Sequence, residues 1–333
     1  MSNSLVDVYG REVNYLRLSV TENCNLSCFY CRSSPETCGA ETVKEELLQV
    51  EEIYAVVKAA VELGMSRVRL TGGEPLLRPD ILDIVRWLTS LKEITDLSLT
   101  TNGMLLDKLA FKLADAGLTR VNISLDSLEE ANFKKITNGG KLSSTLSGIQ
   151  KSLEAGLTPV KINMVLLKGI NEHEIASFIK LTQNQELDVR FIEYMPVSEQ
   201  DSWGDLFLPL DRVVEEAAKI APLISVEGDH GGGPARYYRL QNAVGKIGLI
   251  SPLSRHFCDR CNRLRVTSDG RLKPCLFSEE EVDLRPYLDD TEKLKKKFVE
   301  ALIIKPDPEG VSCDSYNRMK QFKGKRTMTQ IGG

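Results

Sequence analysis

What is scarce in this chain narrows its possibilities first. No window of the 333 residues approaches the roughly 18 consecutive apolar residues of a membrane span. The first twenty residues, "MSNSLVDVYGREVNYLRLSV", contain no apolar run long enough for a signal peptide, so a cytoplasmic protein without membrane contact is expected. There is no excess of positive charge either: the formal net charge is −4, and nothing at this level points to nucleic acid. Histidine is rare, with only His173, His230 and His256. No sequence repeat of fixed period is present, which argues against a solenoid. What is there is a chain with 42% hydrophobic residues, long enough to bury a core, and eight cysteines. In a reducing compartment those cysteines read as ligands or reactive thiols rather than as a disulfide framework, although their even number permits one.

The first half repeats one unit, a short β-rich run followed by an amphipathic helical run. The strands read as "YLRLSV" (15–20), "RVRLT" (67–71), "DLSLTT" (96–101), "RVNISL" (120–125), "PVKINMVL" (159–166) and "DVRFIEYM" (188–195). Between them, "EELLQVEEIYAVVKAAVELG" (45–64) and "MLLDKLAFKLADAG" (104–117) carry apolar residues at three- and four-residue spacing, and each closes on a glycine suited to a helix cap. Six such units predict a parallel sheet curved into a partial (β/α)6 TIM-like barrel, its open side closed by a β-rich C-terminal region. We divide the chain into a barrel over 1–225 and a C-terminal domain over 226–333.

Side chains alternate faces along a strand, and here the alternation is regular. Arg17 and Ser19 oppose Leu16 and Leu18; Arg69 and Thr71 oppose Val68 and Leu70; Ser98 and Thr100 oppose Leu97 and Leu99. Asn122, Ser124 and Asp126 oppose Val121, Ile123 and Leu125, and Lys161 and Asn163 oppose Val160 and Ile162. The outer face of a barrel packs under helices and must be apolar, so the polar, cationic face points into the lumen, which is then a cavity. An antiparallel sheet with one wet face is the alternative, but the intervening helical runs favour parallel crossovers. Arg17, Arg69 and Lys161 converging in such a cavity make an anion site.

Two cysteine sets stand out. "CNLSCFYC" (24–31) gives Cys24, Cys28 and Cys31 at C-x3-C-x2-C spacing, directly after the first strand and so at the carboxyl end where barrel enzymes place their chemistry. "RHFCDRCNRLRVTSDGRLKPCLF" (255–277) gives Cys258, Cys261 and Cys275, with a hairpin turning at Asp269-Gly270 that puts Arg263 and Arg265 on one strand face. From spacing alone either set suits zinc, the first completed by Cys38 and the second by His256 or Cys313. Either also suits a 4Fe–4S cluster on three thiolates, which keeps one iron open for a substrate or cofactor.

The first motif, with Tyr30 before its last cysteine, resembles the signature of the radical S-adenosylmethionine superfamily, and "LTGGEPLL" (70–77) resembles that superfamily's glycine-rich contact to the cofactor. The resemblance implies a cluster on Cys24, Cys28 and Cys31, S-adenosylmethionine chelated at its open iron, and Tyr30, Gly73, Ser124 and Met195 around the cofactor. Together with "FCDRCNRLRVTSDGRLKPCLF" and a chain closing in "IGG", it resembles the GTP 3′,8-cyclase family of molybdenum cofactor biosynthesis from about Tyr9 to Gly333.

That second resemblance implies a further 4Fe–4S cluster on Cys258, Cys261 and Cys275 that binds the guanine ring. Arg17, Arg69, Thr100, Lys161, Arg263, Leu264 and Arg265 would hold GTP, with Arg17, Lys161, Gly332 and Gly333 needed for catalysis. The implied reaction takes the hydrogen from ribose C3′ and joins C3′ to C8 of guanine, giving (8S)-3′,8-cyclo-7,8-dihydroguanosine 5′-triphosphate for the cyclic pyranopterin monophosphate synthase. An electron donor is implied, and a homodimer is compatible with it. The tail "GKRTMTQIGG" would reach the active site, with Lys323, Lys325 and Arg326 available to steer it; by composition alone it would be frayed.

Some features fit less closely. Arg32-Ser33 replaces the family's Met-Pro, and Cys38 and Cys313 lie outside both trios. "GDHGGGPARYY" (228–238) lacks the Lys-Ser/Thr of a phosphate loop and reads as a linker. "EKLKKKFVEALIIKP" (292–306) reads as an amphipathic helix with a solvated basic face. A radical maturase with an auxiliary cluster, a zinc-dependent binding protein and a degenerate relative are the competing readings. The first does not explain the lumen cations, the second needs no S-adenosylmethionine, and the third would lack one of the six ligands.

Overall fold

The computed structural model describes residues 5–31, 47–195, 203–226, 233–309 and 326–332. Six strands and the helices between them come first. They are β1 (Tyr15–Ser19), α1 (Val50–Glu62), β2 (Arg67–Thr71), α2 (Ile81–Thr89), β3 (Asp96–Thr101), α3 (Leu106–Asp115), β4 (Arg120–Ser124), α4 (Glu130–Thr137), α5 (Leu142–Glu154), β5 (Val160–Leu166), α6 (Ile175–Asn184) and β6 (Leu187–Glu193). After these come α7 (Trp203–Leu206), α8 (Asp211–Ile220), β7 (Leu223–Val226), β8 (Arg236–Leu240), β9 (Lys246–Ile250), β10 (Arg263–Val266), β11 (Arg271–Lys273), β12 (Val282–Asp283), α9 (Thr291–Ile303) and α10 (Met328–Ile331).

All twelve strands form one sheet in the order β12-β11-β10-β1-β2-β3-β4-β5-β6-β9-β8-β7. The six sequence-predicted strands run parallel through its centre. The C-terminal half adds a parallel strand at each end, β10 beside β1 and β9 beside β6, and antiparallel strands outside those. The curved sheet is thus a barrel that does not close, because its two outermost strands, β12 and β7, end the order instead of pairing. This is the expected partial barrel with a β-rich region at its open side.

The apolar strand face lies under the helices: Leu16, Leu18, Val68, Leu70, Leu99, Val121, Ile123, Val160 and Ile162 are all fully buried. Each such side chain contributes ~1.5–3 kcal/mol through its transfer from water. The first helix is shorter than its apolar pattern predicts. It starts at Val50, because Gln49 takes an extended backbone and its N–H donates to Glu52 Oε2 at 2.7 Å, stopping the helix there; residues 45–46 lie outside the described part. The hairpin at Asp269-Gly270 forms as read, pairing Arg265 with Lys273. The linker reading stops short at its end, since Arg236 already starts β8. No helix among the described residues is long and apolar enough to cross a membrane.

Candidate active site

The polar strand face encloses a cavity of about 430 Å³. Both cysteine trios line it: Cys24, Cys28 and Cys31 from the loop after β1, and Cys258, Cys261 and Cys275 from around β10 and β11. Between them, pairing register places Arg265 beside Arg17 and Arg17 beside Arg69, three arginines at one level on three adjacent parallel strands. Nothing in sheet geometry favours three neighbouring cations. Burial lowers the pKa of Arg17, and repulsion from Arg265 and Arg69 lowers it further. Burial, then Arg263, lowers Arg265 to about 10, and burial lowers Arg69 to about 10 as well. The row carries a charge that an anion in the cavity would stabilise.

Lys161 faces the same space with its Nζ 3.6 Å from Asp188 and 3.3 Å from the Tyr237 hydroxyl. Four buried polar atoms of cavity-lining residues, the Tyr15 hydroxyl, Thr100 Oγ1, Asn163 Oδ1 and Arg190 Nε, have no hydrogen-bond partner among the described residues. They suit a polar ligand that supplies the missing partners.

The first cysteine loop is fixed from two sides. Gly73 donates to Thr21 O at 2.8 Å and Glu74 to Asn23 O at 2.7 Å. A Cβ on Gly73 would lie 2.4 Å from Asn23 O, so only glycine lets the loop after β2 approach the cysteine loop this closely. Glu74 then ties that turn to the next strand, accepting from Leu76 N, Thr101 Oγ1 and Asn102 N. Burial raises its carboxyl to about 7. On the other side the Tyr30 hydroxyl donates to Asp126 Oδ2 at 2.6 Å, and Asp126 accepts from Val165 N at 2.8 Å. Burial pushes the Asp126 carboxyl up to about 6. Burial likewise raises the Cys28 thiol, with Asp126 and the two other cysteines adding to the rise.

The second trio sits in a more cationic setting. Arg263 Nη2 and Lys305 Nζ each lie 3.8 Å from Cys261 Sγ. Burial pushes that thiol up, but Arg263 and Lys305 outweigh it and bring it down to about 6, so it is a ready thiolate. Cys258 goes the other way, to about 11, through burial and its two cysteine neighbours.

The residues anticipated around the cavity are largely gathered there. Tyr30, Gly73, Ser124, Met195, Arg17, Arg69, Thr100, Lys161, Arg263 and Arg265 all line it. Leu264 does not: its side chain is fully buried in the apolar core, on the opposite strand face from its two arginine neighbours. Gly332 reaches the strand ends, with its carbonyl accepting from Arg265 Nη1 at 2.9 Å. Gly333, Cys38, Cys313, Arg32, Ser33, Lys323 and Lys325 lie outside the described residues. Arg326 is not a loose steering charge, because it pairs with Asp269 and Glu281 and anchors the tail.

Sequence reading missed Arg120 and Arg190, which line the cavity on β4 and β6. The alternation that picked out Asn122 applies equally to Arg120, two residues earlier, and to Arg190 on its own strand. Tyr237 lines the cavity from β8, with no comparable signal. The helix read over 292–306 ends at Ile303, and Lys305, just beyond it, departs from the solvated basic face: it is 3% exposed.

Comparison with known proteins agrees with this arrangement. A Radical SAM superfamily model matches residues 18–182, and a Molybdenum Cofactor Synthesis C model matches residues 187–310. The fold resembles that of Streptococcus suis SuiB bound to S-adenosylmethionine, with TM-score 0.61 and 15% identity over 90% of this chain and 68% of that one. It also resembles native anSMEcpe with bound AdoMet, with TM-score 0.54 and 17% identity over 96% and 93% of the two chains. A partial barrel with a three-cysteine loop at the end of its first strand defines a radical S-adenosylmethionine enzyme. At the level of sequence, the GTP 3′,8-cyclase of Listeria monocytogenes serotype 4b is 45% identical over 99% of both chains, and that of Pelotomaculum thermopropionicum is 44% identical over 98% of this chain and 99% of its own. The chain belongs to the GTP 3′,8-cyclase family.

Proposed function

We propose that this chain converts GTP to (8S)-3′,8-cyclo-7,8-dihydroguanosine 5′-triphosphate, the first step of molybdenum cofactor biosynthesis, and that the residues above divide the work. The observation that carries this reading is the arginine row Arg265–Arg17–Arg69 spanning one cavity between two cysteine trios. Cys24, Cys28 and Cys31 hold one 4Fe–4S cluster, with S-adenosylmethionine between Tyr30, Gly73, Ser124 and Met195. Bound there, the pair would supply radical chemistry able to take a hydrogen atom from substrate ribose. Cys258, Cys261 and Cys275 would hold a second 4Fe–4S cluster, with the guanine ring as its proposed ligand.

Arg17, Arg69, Lys161, Arg263 and Arg265 neutralise the triphosphate, which relieves their mutual repulsion and fixes the ribose between the clusters. Thr100 offers its unpartnered hydroxyl to the same ligand. Leu264, whose side chain lies in the apolar core, is left out of this set. The tail reaches the row through Gly332, whose carbonyl accepts from Arg265, and Gly333 is the other tail residue this reading assigns to catalysis. In this reading residues 1–225 generate the radical and 226–333 carry the second cluster and the tail. The protein works in the cytoplasm, takes electrons from a separate donor and hands its product to cyclic pyranopterin monophosphate synthase; a homodimer is compatible with this reading. Anaerobically reconstituted protein should contain about eight irons per chain, and with GTP, S-adenosylmethionine and a reductant should form the cyclised triphosphate. Four irons and no cyclised nucleotide would overturn the reading.

A further inference from the structure

Lys305 stands just beyond α9 and is nearly inaccessible, with 3% of its surface exposed. An ammonium group in such a place is strongly unfavourable unless its charge and its three N–H donors are all met. The donors are met by three acceptors: the carbonyl oxygens of Pro274 at 2.8 Å and Arg263 at 2.9 Å, and Cys261 Sγ at 3.8 Å. No carboxylate among the described residues forms an ion pair with it, so the negative charge that balances Lys305 is the sulfur's.

Each of these contacts touches the second cysteine trio. Pro274 precedes Cys275, and Arg263 lies two residues after Cys261. The remaining ligand, Cys258, is held by a second buried cation from the far end of the chain. Arg11, 7% exposed, donates to Cys258 O at 2.9 Å and to Pro306 O at 2.8 Å, and its Nε pairs with buried Asp7. Pro306 directly follows Lys305, so the two cations brace each other's segments. One comes from the N-terminal arm and the other from the end of α9, and together they fix the three short stretches that carry the ligands.

We infer that Lys305, backed by Arg11, is the positioning residue of the second cluster: it clamps the Cys261 and Cys275 segments together and sets the cluster's reduction potential through its N–H contact to sulfur. This inference rests on the second cluster of the proposed function. Reduction adds negative charge to a thiolate-held cluster, and a fixed cation with an N–H directed at sulfur stabilises the reduced form more than the oxidised one. Arg263 shares the sulfur from the cavity side, where substrate phosphates draw on its charge. Lys305 approaches from the protein side and is not among the residues lining the cavity.

The test uses the full-length, doubly reconstituted enzyme in potentiometric titration followed by electron paramagnetic resonance. The first cluster's signal is identified by its response to S-adenosylmethionine. In Lys305→Met the second cluster's midpoint should move to a more negative potential, and a chelator should strip half of the iron at least several-fold faster. The first cluster's potential and signal should be unchanged. Lys305→Arg should recover most of the iron retention. Arg11→Met should also speed iron release but shift the potential far less, because it touches a carbonyl and not a sulfur. Should Lys305→Met fail to fold, Lys305→Gln removes the charge while keeping a neutral N–H, and it should shift the potential in the same direction. A wild-type midpoint and wild-type iron release in either folded variant would overturn the inference. A wild-type protein with a single cluster would instead overturn the two-cluster reading beneath it.

Discussion

Arg265 Nη1 donates a 2.9 Å hydrogen bond to the carbonyl oxygen of Gly332, joining the arginine row on the sheet to the end of the chain. Gly332 adopts φ +76°, and a Cβ there would lie 2.5 Å from Thr71 Cγ2 and 3.2 Å from Ser19 Cβ. Both the backbone angle and the space demand glycine. Gly332→Ala should therefore displace the tail end from the carboxyl ends of β1 and β2. Cyclised product is expected to fall by roughly 10- to 100-fold, the scale of a small misplacement at a reacting centre, with GTP affinity and iron content little changed. Full activity in this variant would mean that the docked tail has no part in the reaction.

The cations act through the triphosphate. Arg17→Ala and Lys161→Ala should each weaken GTP binding by ~1.5–3 kcal/mol, the usual worth of a charged hydrogen bond. Isothermal titration with GTP and with guanosine checks this: the preference for GTP should narrow in both variants. Equal losses for the two ligands would place these side chains elsewhere than on the phosphates.

The two trios should fail differently. Cys28→Ala removes a ligand from the loop beside Gly73 and Tyr30, and it should abolish formation of 5′-deoxyadenosine. Cys261→Ala lies across the cavity and should leave some uncoupled 5′-deoxyadenosine while making no cyclised nucleotide. Chromatography of both products in each variant gives the answer. Any 5′-deoxyadenosine from Cys28→Ala would contradict the assignment of the first trio.

Much of this site was legible because a strand forces its side chains to alternate. One polar residue on the inner face predicts the next, so Arg17, Arg69, Ser124 and Lys161 could be placed in a lumen before any coordinates. The same rule extends to Arg120 and Arg190. Local patterns could not foresee that β10 lies parallel to β1, which sets Arg265 beside Arg17 from a position nearly 250 residues later in the chain. The burial of Lys305 is hidden from local pattern for the same reason. Its neighbours in sequence are those of a solvated amphipathic helix, and only the long-range return of that segment to Cys261 buries it. The start of α1 was misjudged on different grounds, since apolar spacing continues past the point where Gln49 leaves the helical backbone.

Glu74 makes the stability of the turn beside the first trio depend on pH. Its carboxyl ionises near 4.5 in an unfolded chain and at about 7 in the folded one. Between those values the folded state keeps a proton that the unfolded state has released, so raising the pH favours unfolding. From pH 5 to pH 8 this group alone should remove about 2.5 kcal/mol of stability. Urea denaturation of wild type and Glu74→Gln across that range isolates it. The variant, less stable at low pH through its imperfect acceptor, should show a shallower decline, and parallel curves would refute the burial argument.

The most direct test of the central claim uses GTP carrying deuterium at ribose C3′, incubated anaerobically with the reconstituted enzyme, S-adenosylmethionine and a reductant. If this cavity holds GTP by its phosphates and presents its ribose to the radical generated at Cys24, Cys28 and Cys31, mass spectrometry should find deuterium in the 5′-deoxyadenosine together with one equivalent of 3′,8-cyclised triphosphate. 5′-Deoxyadenosine free of deuterium, or formed without any cyclised nucleotide, would contradict it.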